Sequence, residues 1–426
     1  MSMRGGSSQD FDTTDLPPAA RRAVAAYRER LASPDDSRPI AVAWAPGRVN
    51  LIGEHTDYND GLVLPVAVDR IVAIAGRPAT TSRATLYSLH HDRVAWFNAS
   101  RGALFAPRAP RLPQFARYVR GVLAELAALP AARPAPAFEA AIAGDLPVGG
   151  GVSSSAAVTV AAASFAALLG GPRLPPLDTA RLCQRAEHQS TGVRVGIMDQ
   201  AAICLAQPES ALLLDCRSLA YEHIPIALPG TAIAVFDTGV PRALASVGYN
   251  ERRAQCEAAV ALLAPRIQAE QPGRAVTALR DVIPADLAHH GDALPEVLRR
   301  RAHHVVTEHA RVLDAAAALR AGDALRLGAL LDATHASLRD DFDVSCPELE
   351  AAVTLAHEVP GVVGARLMGA GFGGSALILV ATDALDTLAA ILASEYPLRT
   401  GRTGALHICR IGAGPQGAML PATATR

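Results

Sequence analysis

The chain contains no lysine: all 40 of its basic residues are arginine. A Walker A loop needs lysine before its Ser or Thr, a protein kinase needs a strand lysine, and Schiff-base enzymes need an amine. All three are excluded, and any bound phosphate must be neutralised by backbone N–H groups, arginine or a metal. The formal net charge is only −1, so no polyanion-binding surface and no nucleic-acid partner are expected. The six cysteines (Cys183, Cys204, Cys216, Cys256, Cys346, Cys409) include no C-x-x-C pair. Scattered cysteines point to a reducing cytoplasm and buried thiols, not to a disulfide framework or a zinc site. Met1–Asp15 has no apolar core of a signal peptide. The most membrane-like run, Ala156–Leu169, covers 14 residues and contains Thr159 and Ser164, too short for a bilayer. There is no G-x-S-x-G elbow for a Ser-His-Asp hydrolase and no internal repeat. A soluble, cytoplasmic protein without a membrane partner is expected. At 426 residues, half of them hydrophobic, the chain is long enough for about two to three domains with full cores.

One stretch organises the rest. Asp145-Leu146-Pro147-Val148-Gly149-Gly150-Gly151-Val152-Ser153-Ser154-Ser155 follows the apolar strand end Ala140–Ala143 and precedes the helical Ala156–Leu169. Consecutive glycines let backbone approach a ligand closely. Serines at a helix start sit where unpaired N–H groups and the helix dipole favour an anion. This is the layout of a phosphate-binding loop, although a glycine turn with an ordinary serine N-cap fits the same residues.

A second stretch runs from the apolar Ile40–Ala45 into a loop with Arg48, Glu54, His55, Asp57 and Asn59. Carboxylates and a histidine so close together suit the hydroxyls of a sugar, because each carboxylate accepts several hydrogen bonds. A metal site and a plain polar turn are the competing readings. Asp199 stands among apolar residues, as either a functional carboxylate or a helix cap, and Glu187 lies 12 positions before it on the preceding helix. Gly369-Ala370-Gly371-Phe372-Gly373-Gly374 fits G-x-G-x-x-G formally. It precedes the apolar strand Ser375–Val380, however, where a dinucleotide site requires a helix. No two of His289, His290, His303 and His304 stand at i, i+4 with a companion glutamate as a zinc-binding helix requires, so they read as solvated.

Elsewhere the pattern predicts a helix from Pro17-Pro18 to about Ser33-Pro34 and short strands over Leu62–Val68, Arg70–Ala75, Ala84–Leu89 and Arg93–Phe97. Helices follow over Pro113–Leu129 and Leu177–Thr191, then strands over Ala211–Cys216 and Thr231–Asp237. A long helix begins near Ser246, and Gln268–Ala333 is mainly helical.

The run Pro46-Gly47-Arg48-Val49-Asn50-Leu51-Ile52-Gly53-Glu54-His55-Thr56-Asp57-Tyr58-Asn59 resembles the signature of galactokinases. Leu146–Ser155 resembles the phosphate-binding motif of their superfamily, which includes homoserine, mevalonate and phosphomevalonate kinases. His335–Phe342 and Val344–Glu348 also resemble a galactokinase stretch, so the likeness spans about Pro46 to Cys409. The resemblance implies an α+β, two-domain GHMP kinase fold. A mixed α/β N-terminal domain (16–225) binds sugar and ATP, a ferredoxin-like C-terminal domain covers 226–426, and the active site lies in the cleft between them.

The implied activity is ATP-dependent phosphorylation of galactose at its anomeric hydroxyl, giving galactose 1-phosphate and ADP. Gly149, Gly150, Gly151, Val152, Ser153, Ser154 and Ser155 would hold ATP, Ser155 and Glu187 would ligate Mg2+, Asp199 would be the base, and Arg48 would stabilise the transferring phosphoryl group. Glu54, His55, Thr56, Asp57, Gly196 and Tyr249 would shape the sugar site. The family pattern is departed from at Val195 (usually cysteine), where only packing is expected to change, and at Gly248, Met368 and Ser375. Another sugar, N-acetylgalactosamine or arabinose, and a non-catalytic sensor of sugar and ATP remain as alternatives. No protein partner is inferred.

Overall fold

The computed structural model describes residues 13–33, 37–106, 111–130, 135–147, 150–240 and 245–421. The first half of the chain runs α1 (Pro18–Arg30), β1 (Ile40–Asn50), β2 (Leu62–Val63), β3 (Pro65–Pro78), β4 (Arg83–Ser88), β5 (Arg93–Asn98), α2 (Arg101–Leu104), α3 (Gln114–Ala128), β6 (Phe138–Gly144), α4 (Ser154–Leu168), α5 (Pro176–Thr191), α6 (Met198–Cys204), β7 (Ser210–Asp215) and β8 (Tyr221–Pro225). The second half runs β9 (Thr231–Asp237), α7 (Ala245–Glu270), α8 (Pro284–His290), α9 (Glu296–Ala321), α10 (Ala324–Asp340), α11 (Pro347–His357), β10 (Val362–Met368), β11 (Ser375–Ala381), α12 (Leu385–Thr400), β12 (Ala405–Cys409) and β13 (Gln416–Leu420).

The first sheet has the order β13-β1-β3-β6-β4-β5. Every residue of β1 is buried, because the strand is covered on both faces. Alternation divides its side chains: Ala41, Ala43 and Ala45 enter the larger core with α4, while Ile40, Val42 and Trp44 meet α1 on the other face. The small residues on the α4 side let that helix, itself rich in alanine, approach closely. Residues 65–78 form one strand, where the sequence pattern suggests two short ones. The polar Asp69-Arg70 pair that reads as a turn lies inside β3, and Asp69 exchanges backbone and side-chain hydrogen bonds with Arg410.

The second sheet has the order β10-β11-β9-β12, antiparallel throughout. With helices before β10 and between β11 and β12, this is the ferredoxin-like arrangement. Helices α11 and α12 cover one face through Leu355, Leu388, Leu392 and Tyr396. A small sheet, β2-β7-β8, completes the set. The last strand, β13, returns to the first sheet and pairs with β1, so residues 416–420 lie with the N-terminal half. Val312, Leu331, Met368 and Leu379 of the second half share the largest core with β1 and α4, so the halves are packed together. None of the described helices is long and apolar enough to cross a membrane.

Candidate active site

β1 ends in the loop 51–61, β6 leads through the glycine loop into α4, and α5 turns into α6 at residues 192–197. These three connections, with the start of α7 and the loop 369–374, surround a cavity of about 440 Å³. That volume is in the usual range for a small-molecule site, about 300–1,000 Å³.

The glycine loop meets β1 first. Gly47 is required there, since a Cβ would stand 2.6 Å from the Val152 carbonyl and 2.3 Å from Leu146. The backbone N–H of Arg48 donates to that same carbonyl at 3.1 Å. The Arg48 side chain is almost wholly buried, and donates to the Gly151 carbonyl at 2.6 Å and to Asp199 Oδ1 from Nε (2.8 Å) and Nη2 (2.5 Å). Asp199 Oδ2 accepts from Ser153 Oγ at 2.5 Å. One carboxylate of α6 is therefore held by both motifs, with 25% of its side chain left exposed.

Ser153 is not an ordinary N-cap. Its backbone is left-handed (φ 57°) and its hydroxyl turns to Asp199, so it makes no capping bond to α4. A non-glycine residue in this region is strained, and such strain clusters at ligand sites. The first N–H groups of α4 therefore have no side-chain cap, and Gly151, Ser153, Ser154 and Ser155 all line the cavity. Gly150 lies behind them, its carbonyl accepting from Ser375 Oγ at 2.5 Å, and Val152 is buried in the core. Gly149 lies outside the described residues.

Glu187 of α5 opens onto the same cavity from a buried position. It accepts from Gln200 Nε2 at 2.7 Å and is hydrogen-bonded by Ser155. Burial raises its carboxyl to about 7, with the Asp199 charge adding to the effect and the bonds from Ser155 and Gln200 opposing it. Gln200 Oε1 is buried with no hydrogen-bond partner among the described residues. A hard carboxylate and a hydroxyl that both line the cavity are oxygen donors of the kind Mg2+ takes.

The 51–61 loop splits into supports and cavity-facing groups. Glu54 lines the cavity but its oxygens already accept from Asn50 Nδ2 (2.8 Å), the Gly369 N–H (2.8 Å) and Arg366 Nη2 (3.2 Å). Thr56, expected at the sugar, does not line the cavity. It is fully buried, and its hydroxyl donates to the Gly53 and Leu62 carbonyls to close its own turn. His55 has a left-handed backbone (φ 62°). Its Nδ1 meets Tyr58 Oη at 2.8 Å, and its ring packs on Phe342 and Tyr249. Burial holds its pKa well below the ordinary value, which keeps it neutral. Asp57 Oδ1 accepts from the Tyr58 N–H at 2.9 Å, while Oδ2 has no hydrogen bond to any described residue. Burial pushes the Asp57 carboxyl to about 7, helped by the nearby Asp199 charge. Oδ2 lies against Gly196, where an added Cβ would be only 1.7 Å away. Tyr249, on the first turns of α7, closes this side.

Several functional supports escaped the sequence reading. His304, expected in solvent, is fully buried, with Nε2 against the Glu54 carbonyl and Nδ1 against Ser337 Oγ. Glu308 is buried beneath the same loop and accepts from the Gly53 N–H at 2.8 Å. Arg366 is fully buried and donates to the carbonyls of Asn50 and Leu51. Gln114, Arg117 and Tyr118 of α3 form a further wall of the cavity. Val195 lines the cavity as well, so this departure touches the site and is not confined to packing. Gly248 faces the Phe372 ring, which a Cβ would meet at 2.6 Å, and Met368 is buried in the core.

Comparison with known proteins agrees with this geometry. Residues 25–78 match the galactokinase galactose-binding signature, 117–207 the GHMP kinases N terminal domain, and 315–398 the GHMP kinases C terminal family. The galactokinase of Roseiflexus sp. (strain RS-1) is 42% identical over 400 residues, covering 91% of this chain and 95% of that one. The galactokinase of Homo sapiens is 38% identical, covering 86% and 88%. Among solved structures, Lactococcus lactis galactokinase complexed with galactose superposes with a TM-score of 0.84 at 32% identity, covering 92% and 98%. Methanococcus jannaschii mevalonate kinase, at 17% identity and a TM-score of 0.60, shares the fold. With relatives this similar over nearly its whole length, the chain belongs to the galactokinase family.

Proposed function

We propose that this cleft transfers the γ-phosphoryl group of ATP to the anomeric hydroxyl of galactose, with Asp199 as the base. The family membership makes the protein an ATP-dependent sugar kinase. What carries the assignment of roles is the convergence on Asp199: the sugar-signature Arg48 and the phosphate-loop Ser153 bond the same carboxylate. Asp199 takes the proton as the anomeric O–H bond breaks. A new O–P bond forms at the γ-phosphorus, and the bond to the bridging oxygen breaks to release ADP. Arg48, permanently charged, stabilises the negative charge that develops between the two substrates. The first turn of α4 and the glycine loop hold the triphosphate by backbone N–H groups, the role that lysine cannot take in this chain. Ser155 and Glu187 would hold Mg2+, which neutralises phosphate charge when bound.

On the sugar side we assign the direct hydroxyl contact to Asp57, with His55, Gly196 and Tyr249 shaping the pocket and Glu54 acting mainly as a brace. We retain the division near residue 225, with residues 416–420 counted with the N-terminal unit. Cytoplasmic placement is supported by the six free cysteines. The relatives do not favour another sugar or a non-catalytic sensor. The test is ADP release with a panel of sugars: galactose should support turnover, and binding without turnover would overturn the assignment.

Glu187→Gln is expected to raise the Mg2+ concentration needed for half-maximal turnover, because a neutral amide oxygen is a poorer ligand for a hard cation. Excess Mg2+ should restore part of the rate. An unchanged Mg2+ dependence would leave Glu187 a structural role only. Gly196→Ala is expected to raise KM for galactose and leave KM for ATP nearly constant, since its Cβ would displace the Asp57 carboxylate. Steady-state kinetics with each substrate varied in turn distinguishes this from general damage.

A further inference from the structure

Far from the cleft, the last residue of α7 meets the last two residues of α8. We propose that Glu270, His289 and His290 form a surface site for one divalent transition-metal ion, typified by zinc, which ties the end of α7 to α8. One ligand atom from each residue lies within 4.8 Å of the others. Glu270 Oε1 is 3.2 Å from His289 Nε2, and Oε2 is 3.4 Å from His290 Nε2. Ligand atoms bound tetrahedrally at about 2.0–2.2 Å stand roughly 3.3–3.5 Å apart. Each imidazole nitrogen is already at about that distance from one oxygen of the carboxylate, though not from the same oxygen, so the side chains must draw together from the 4.8 Å envelope to hold one ion. The imidazole rings cross at 71° with centroids 4.6 Å apart, so the two nitrogens approach from different directions.

The chemistry of the donors selects the ion. Two imidazoles and one carboxylate suit zinc and its neighbours, whereas Mg2+ and Ca2+ take oxygen ligands. Three protein ligands leave a fourth position for water. The His290 side chain is only 10% exposed and fixes the site, while Glu270 and His289 are open enough to admit an ion from solvent. Two ordinary ion pairs are the simpler reading of the same contacts. They require a proton on each Nε2, the very atoms that must offer lone pairs to a metal, so a binding measurement separates the two.

The consequence is stability. Tyr249 lies 21 residues before Glu270 on α7, about 30 Å along the helix, so catalysis should not depend on the site. An ion that binds only the folded chain raises its stability in proportion to the logarithm of ion concentration over Kd.

The experiment titrates the metal-stripped full chain with Zn2+ alone by calorimetry, beside Glu270→Gln and His289→Ala. The parent protein should bind one Zn2+ more than either variant, or bind it more than about 100-fold tighter, since losing even a partner of a ligand costs 10–100-fold. Co2+ should give the parent a visible tetrahedral absorption band that both variants lack. Zn2+ should raise the parent's thermal midpoint more than the variants'. Galactose phosphorylation at saturating Mg2+ should be equal in all three, which establishes that the variants are folded. Equal Zn2+ stoichiometry and affinity in parent and variants would overturn the site, as would no binding to the parent.

Discussion

Asp199→Asn is expected to slow single-turnover phosphoryl transfer by about 10²–10⁴-fold, the usual worth of a positioned base. Asparagine keeps the shape of the side chain and one oxygen that can still accept from Arg48 Nε and Nη2. The contact with Ser153 must reverse, the amide donating to Oγ where the hydroxyl now donates to Oδ2. What disappears is the capacity to take a proton. Part of the loss will pass through Arg48, a nearly buried guanidinium left with the Gly151 carbonyl and a neutral amide in place of a carboxylate. Galactose affinity should change little, because Asp199 acts on the proton that leaves and not on the hydroxyls that fix the ring. The measurement is a rapid-quench single turnover with galactose affinity measured alongside. A rate within a few-fold of the parent would move the base elsewhere.

The parts of this site that were legible in the sequence are those written in one contiguous stretch. The glycine–serine loop sits between an apolar strand end and an alanine-rich helix. Both neighbours are set by local hydrophobic pattern, so β6 and α4 fall close to where the sequence puts them. The signature loop was equally visible as a cluster of polar residues after a wholly apolar strand. Supports drawn from distant residues were not. Arg366 stands in an apolar strand with nothing nearby to pair with, and its partners at Asn50, Leu51 and Glu54 are more than 300 positions away. His304 and Glu308 lie on a polar-looking helix, where an i, i+4 pair resembles a solvated face. Their burial is created by the 51–61 loop packing over α9. Composition counts acceptors without knowing which are already used, as at Glu54, which lines the cavity with its oxygens held by Asn50, Arg366 and Gly369. The resemblance that implies Thr56 does not show its hydroxyl turned to its own loop. The same blindness split β3, since a polar pair inside a strand resembles a turn until its partner at Arg410 is known.

The second large effect is expected at Asp57. Asp57→Ala should remove most of the galactose affinity and leave ATP binding nearly intact. Of the three polar groups of the loop that line the cavity, Glu54 is held by three protein donors. His55 is neutral and packed among rings, with Nε2 unpaired among the described residues, and Asp57 is the carboxylate that keeps an oxygen, Oδ2, without a hydrogen bond to any described residue. A half-buried carboxylate in that position is costly until sugar hydroxyls donate to it, and a site built on such bonds discriminates by on the order of 10⁴-fold against a ligand lacking the hydroxyl. Deoxygalactose at the contacted position should therefore cost the parent far more than it costs Asp57→Ala. Simple additivity of the two losses at every hydroxyl would remove Asp57 from this role.

The carboxyl also predicts a pH dependence. Burial, with the Asp199 charge second, moves its pKa from the ordinary 3.8 to about 7. The empty folded protein then binds this proton more tightly than the unfolded chain does. The associated stability is full below the unfolded value and is lost as pH rises through about 7. Asp57→Asn should accordingly gain thermal stability relative to the unliganded parent as pH rises from about 4 to about 7, and keep that gain above it. Galactose affinity of the parent should rise over the same interval, because the ionised oxygen forms the stronger, charge-assisted bonds, while Asp57→Asn should stay flat and weaker. Calorimetry and thermal midpoints across that range read both effects. Equal pH profiles for parent and Asp57→Asn, or a loss of ATP affinity in place of galactose affinity, would assign the sugar contact to another group.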